Sequence, residues 1–301
     1  DIAMTRLRDV NTTDLVGAIR LGCHTMSHCF NDDDNRIPYG GATVRPVASL
    51  GGSMEAHIPG RHLNALLNAE AAAGIELEER AVDCHTRATW FSYSQAPLPL
   101  HRESQHNCGQ GTPRLLQDHD LREGFHALYA LAAFRGSERA LQLAADSIDV
   151  INRYWLATES WDLARLEHDL PVHVLRDGYG TFVQRLARSI GPLVKLFRST
   201  GHEPALQLAS SLKDKALREC FPEDGAFLPD PCGHHAHSTT CVLSSLAQLG
   251  DASDDIGLLQ RVRAFYDNGL WQLRDQIGWS IEGSEEGNDC LRGEANNTGD
   301  I

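Results

Sequence analysis

Groups able to do acid–base chemistry gather at a few places in this 301-residue sequence. The densest is Gly278–Asp300, GWSIEGSEEGNDCLRGEANNTGD, which carries Glu282, Glu285, Glu286, Asp289 and Glu294. Two carboxyl groups held in different environments can divide the work of proton donor and proton acceptor between them. Glu294 is the first candidate. It is followed by Asn296 and Asn297, whose amides can hold a hydroxyl or orient the acid, and Trp279 offers a flat face to a ring. The competing reading is a solvated acidic loop before a helix, where the helix dipole favours Asp and Glu. Asp177, between Arg176 and Gly-Tyr-Gly, is the partner carboxylate expected, with a simple turn aspartate as its alternative. Glu123, in Asp120-Leu-Arg-Glu123, opens a helix in a similar setting.

His57 and Arg61, in His57-Ile-Pro-Gly-Arg61-His62, form a polar turn that feeds a helix and can face a ligand. Arg61 or Arg122 can clamp a ligand carboxylate through a bidentate pair. Cys232–Cys241, CGHHAHSTTC, supplies five nitrogen or sulfur donors, but their spacing matches no standard zinc module. No metal or other cofactor is therefore expected. His235 and His237 are read as cleft-lining donors or as acid–base groups, with an unperturbed pKa of about 6.5. The run Asn31–Asn35, NDDDN, lacks the glycine and the terminal glutamate of a calcium loop.

Helix pairs must position these groups. His126–Ala145, HALYALAAFRGSERALQLAA, reads as a helix, a turn at Gly136 and a second helix, and Pro192–Ala209 repeats the device with ALQLA letter for letter. Asn64–Gly74 and Cys241–Gly250 are looser echoes. Each glycine falls where a helix takes a left-handed C-terminal cap. Self-similarity in fixed order marks an architecture of repeated supersecondary units. At least nine helices and hardly any strand are expected, with helices over Thr13–Phe30 and Ile256–Leu273. The connections Asn31–Ser53 and Trp90–Ser104 read as long surface excursions.

With 42% hydrophobic residues the chain can bury a large core, read as one domain over 1–301. The net charge of −14 and the absence of any Lys/Arg block exclude a nucleic-acid footprint. No apolar run approaches the roughly 20 residues of a membrane span. Eight scattered cysteines without a C-x-x-C pair suit reduced thiols and a cytoplasmic setting, although a cleaved secretory signal would leave no trace. Oligomeric state is not legible.

The succession of hairpins, together with His57-x-x-Gly-Arg61-x-x-Asn64-Ala-Leu-Leu and the terminal Gly-Glu294-Ala-Asn-Asn-Thr-Gly-Asp300, resembles the six-hairpin glycosidase superfamily. Within it, the sequence is similar to bacterial β-L-arabinofuranosidase-like and uronic-acid-processing hydrolases. The resemblance implies an all-α fold, an (α/α)6-type barrel that binds a glycan in a mouth lined by inter-helix loops. A sixth hairpin would lie beyond Ile301. The zinc-held cysteine nucleophile of β-L-arabinofuranosidases is not carried over, because the Glu-x-Cys element and the cysteine pair are missing. The expected activity is hydrolysis of a uronate- or arabinose-containing oligosaccharide. Glu294, Asp177 or Glu123 would supply the acid–base pair. His57, Arg61, His235, His237, Trp279, Glu282, Asn296 and Asn297 would hold the sugar. A lyase with a His or Tyr base, and a non-catalytic hairpin scaffold, are the alternatives.

Overall fold

A computed structural model describes residues 14–43, 49–103, 111–175, 180–273 and 281–284. These residues form helix α1 (Leu15–Met26), two small ladders β1–β2 (Phe30–Asn31, Ile37–Pro38) and β3–β4 (Ala42–Thr43, Ser49–Leu50), and then the hairpin α2 (Ile58–Ala73) and α3 (Glu79–Ser92). Strands β5 (Leu100–His101) and β6 (Leu115–Leu116) precede the hairpin α4 (Leu121–Arg135) and α5 (Glu138–Ile151). Helix α6 (Leu163–Asp169) and strand β7 (His173–Val174) follow. The third hairpin is α7 (Ile190–Thr200) with α8 (Glu203–Glu219). A short α9 (Pro229–Cys232) leads to the fourth, α10 (Ala236–Ala252) with α11 (Ile256–Asp267). Every strand has two residues, so helices carry the fold.

The first members of the hairpins make an inner layer. Helix α2 packs on α4, α4 on α7 and α7 on α10, while α3, α5, α8 and α11 back them from outside. The sequence of α4 explains its central place: Leu121 and the nine residues from Glu123 to Leu131 are all buried, and a helix enclosed on all sides is one that others surround. Small residues set how closely the inner helices approach. A Cβ on Gly60 of α2 would stand 1.8 Å from the carbonyl oxygen of Glu123 in α4, and one on Gly191 of α7 would stand 2.7 Å from Ser245 Oγ in α10. One continuous apolar core runs from Leu63 to Leu273. Gly136 and Gly201 end α4 and α7 at φ of 60° and 71°, the left-handed caps that the sequence called for.

Several local expectations are corrected. Residues 58–62 are helical, because Pro59 stands near the N-terminus, where its missing N–H costs nothing. Residues 236–241 are helical too, since α10 starts at Ala236 and buries all six of them. The helix read over Ile256–Leu273 ends at Asp267 and continues as a 3-10 turn, Gly269–Leu273. Helix α1 is shorter than Thr13–Phe30 at both ends. Helix α7 begins at Ile190, two residues before the Pro192 at which the second hairpin was read, and is preceded by a 3-10 turn over Leu186–Ser189. The segment around Trp90–Ser104 is no surface excursion where it is described. Leu98, Leu100 and His101 are fully buried, and β5, β6 and β7 join in one sheet. Among the described residues no helix is long and apolar enough to cross a membrane.

Candidate active site

The N-terminal ends of the inner helices meet at one end of the molecule, and polar side chains collect there. Asp120, the residue before α4, is fully buried. Its Oδ1 accepts from His57 Nδ1 at 2.5 Å, at the N-cap of α2, and stands 3.1 Å from His119 Nε2. Its Oδ2 accepts from His101 Nε2 at 2.8 Å, at the end of β5. Burial opposes charge on Asp120, but the bonds and charges of His101 and His57 outweigh it and hold the carboxyl far below the carboxylate range. One turn on, Glu123 is also fully buried. Arg61 Nε donates to its Oε1 at 3.2 Å, Arg122 Nη1 at 2.8 Å, and Arg188 Nη2 stands 3.7 Å away. Burial alone would raise Glu123; Arg122, Arg61, His57 and Arg188 drive it well below its usual value instead. Among the described residues its Oε2 has no hydrogen-bond partner, nor do the buried Nε of Arg188 and Oγ of Ser189.

Beside this polar knot lies a cavity of about 400 Å³. Trp155, Trp161 and Phe182 give it aromatic walls, and Asp118, Arg185 and Lys215 give it charge. Trp155 and Phe182 stack with ring centroids 5.7 Å apart. Asp118 Oδ2 accepts from Trp161 Nε1 at 3.0 Å, and its Oδ1 stands 3.6 Å from Arg185 Nε. Burial dominates there: the Asp118 carboxyl is raised despite Arg185 and Trp161. Two aspartates two positions apart are therefore pushed in opposite directions, the arrangement that separates an acid from a permanent anion.

Of the residues singled out in the sequence, the structure joins His57, Arg61 and Glu123 at the mouth. Glu123 is fully buried beneath Arg61, Arg122 and Arg188, whose charges hold it ionised. His235, His237 and Glu282 form a second group around the start of α10. There His235 Nδ1 bonds Ser238 Oγ at 2.8 Å, the His235 and His237 rings stand edge to face, and Glu282 O accepts from Ala236 N at 3.0 Å. Glu294, Asp177, Trp279, Asn296 and Asn297 lie outside the described residues. Cys232 does not pair with Cys241; its Sγ donates to Cys220 O, and Cys241 is buried in α10. Sequence reasoning passed over Asp118, His119, Asp120 and Arg188 as site residues. The one signal was the charge density of Asp118-His-Asp-Leu-Arg-Glu123, which runs into the start of the largely apolar helix α4.

Four histidines give the fold a pH dependence of definite sign. Burial pushes His62 and His119 down to about 4 and His85 to about 3, and holds His126 well below its ordinary value. In the unfolded chain each protonates at about 6.5. Between those values the unfolded chain binds more protons, so their stabilisation is complete above about pH 6.5 and declines as the pH falls toward the folded values. His101 runs the other way. Burial lowers it, but the Asp120 bond and charge raise it overall, so its contribution is present below about 6.5 and lost as the pH rises through the folded value. Four outweigh one, and urea unfolding between about pH 7 and pH 4 is expected to show a continuous loss of stability. A flat profile would contradict this.

No protein-family model and no curated protein sequence matches the chain. Solved structures do. An unsaturated glucuronyl hydrolase from Bacillus sp. GL1, responsible for the degradation of glycosaminoglycan, superposes with a TM-score of 0.57 at 13% identity, covering 90% of this chain and 70% of that one. A GH76 alpha-mannanase from Bacteroides thetaiotaomicron gives 0.58 at 12% identity, with 89% and 74% covered. An unsaturated glucuronyl hydrolase from Streptococcus agalactiae gives 0.52 at 12%, with 91% and 66% covered. The fold is the (α/α)6-type barrel of these six-hairpin glycosidase structures.

Proposed function

We propose that this protein is a glycoside hydrolase acting on an oligosaccharide that carries a uronate or an arabinose, with the sugar chain entering the cavity beside α4. One observation carries the reading. An aromatic-walled cleft of about 400 Å³ holds a carboxyl group, Asp118, whose affinity for its proton is raised by burial. Cleavage of a glycosidic bond needs a proton on the leaving oxygen, and Asp118 is the group poised to give it. Trp161 both donates to that carboxyl and lines the cleft. The surplus of guanidinium at the mouth favours a uronate over a neutral sugar: Arg61, Arg122 and Arg188 outnumber the carboxylates of Asp120 and Glu123, and planar guanidinium matches a carboxylate. Glu294 and Asp177 are retained as proposals for the second carboxylate; Asp177 follows the cleft residue Leu175 by two positions in the sequence. His235, His237, Glu282, Trp279, Asn296 and Asn297 are proposed to extend the sugar contacts.

A lyase is the second reading, favoured by His119. This histidine is kept neutral, backed by Asp120 and a quarter exposed, so it can take a proton beside a guanidinium-held carboxylate. A panel of uronate- and arabinose-containing oligosaccharides separates the cases. Hydrolysis is expected to give new reducing ends without ultraviolet absorbance from a new double bond. Absorbance rising with the reducing ends would assign the lyase, and no turnover of either sugar class would remove both.

A further inference from the structure

Where the segment after α1 meets α2 and α3, three donors come together from three elements. Cys29 lies between α1 and β1, His62 in the second turn of α2, and His85 in the second turn of α3. Their donor atoms all lie within 4.8 Å of one another. Cys29 Sγ stands 3.5 Å from His62 Nδ1. In a tetrahedral zinc site with usual Zn–S and Zn–N lengths, the sulfur–nitrogen edge is about 3.6 Å. The His62 and His85 rings meet edge to face at 4.9 Å between centroids. His85 is fully buried and its Nε2 bonds the carbonyl of Met26 at 3.0 Å, while its Nδ1 has no hydrogen-bond partner among the described residues. A ring whose one nitrogen is tied to a backbone carbonyl, fixing the tautomer and leaving the other a bare lone pair, is how a metal-bound histidine is held.

We propose that Cys29, His62 and His85 bind one zinc ion, with an open fourth position for water. The set of one thiolate and two imidazoles suits zinc rather than calcium or magnesium, which take oxygen donors. Burial has already set both histidines in the neutral form that a ligand needs, since His62 and His85 titrate at about 4 and about 3. Burial pushes the Cys29 thiol up to about 11, so binding forms the Zn–S bond with release of the thiol proton to solvent. The ion would tie the segment after α1 to the α2–α3 hairpin. The site was invisible in the sequence because its ligands are 33 and 23 positions apart. It stands independently of the proposed hydrolase activity.

The test uses the whole chain, stripped with a chelator and dialysed against micromolar zinc. One zinc per chain is expected, with a thermal midpoint that rises with zinc concentration. Cobalt in its place is expected to give a thiolate charge-transfer band and intense visible bands of tetrahedral geometry. Cys29→Ser and His62→Gln should each lose the bound zinc and the midpoint shift, whereas Cys232→Ser, and His24→Asn in the exposed His24–His28–Glu78 group, should keep both. Circular dichroism shows which variants fold, and if Cys29→Ser does not, His62→Gln is read alone. No zinc on the parent chain, or one zinc retained by the folded Cys29 or His62 variant, would overturn the proposal.

Discussion

Replacing Asp118 with asparagine is expected to lower turnover of the oligosaccharide by roughly 10²–10⁴-fold, with KM within a few-fold of the parent. Asparagine keeps the shape and the bond from Trp161 Nε1 but has no proton to give. The pH profile adds a signature that a structural role would not produce. Because the Asp118 carboxyl is raised by burial and must be protonated to act, activity is present below its pKa and is lost as the pH rises through it. Trp161→Phe deletes the donor that favours the ionised form, so the alkaline limb should move to higher pH while turnover at low pH is kept. Turnover by Asp118→Asn within a few-fold of the parent, with the alkaline limb intact, would remove Asp118 from the mechanism. The acid role would then pass to Glu294 or Asp177.

The largest effect on stability is expected at Arg102. Its guanidinium is fully enclosed with Asp34 and Glu55. Nη1 and Nη2 donate to the two Asp34 oxygens at 2.9 and 2.7 Å, and Nε donates to Glu55 Oε1 at 3.2 Å. The backbone N–H of Arg102 adds a bond to Glu55 at 2.6 Å. Breaking a buried ion pair from one side strands the remaining charge and costs about 3–5 kcal/mol. Arg102→Met strands two carboxylates. A loss at the upper end of that range is expected, with the melting midpoint falling on the order of 10 °C. The triad also bears on the mouth: Glu55 stands two residues before His57, and Arg102 directly follows His101. Both histidines that donate to Asp120 therefore hang from it, and the variant should lose activity even where it remains folded. A melting change below about 1 kcal/mol would show that the triad contributes specificity rather than stability.

The hairpins were legible because their signals are local. Apolar residues at helical spacing, a glycine at each C-terminal cap and a polar break after it recur in fixed order at Gly136 and Gly201, and each acts within one or two turns of chain. The same local reading marked His57, Arg61 and Glu123 as groups at helix starts. It misjudged Ile58–His62 and Ala236–Cys241, where weak helix formers are held helical by burial against neighbours that the sequence does not name. The resemblance to six-hairpin folds reached the architecture for the same reason.

What each charged group does was decided only by tertiary structure. Asp118 and Asp120 are two residues apart and of one type, and nothing local separates them. Asp120 meets His57 from 63 positions away and His101 from 19, so it stays ionised. Asp118 is enclosed by Trp161 from 43 positions away, in a wall completed by Phe182 and Arg185, so burial raises its pKa. The protonation of a carboxyl group is set by desolvation and by charges within a few ångströms. Those distances come into being only when the inner helices pack.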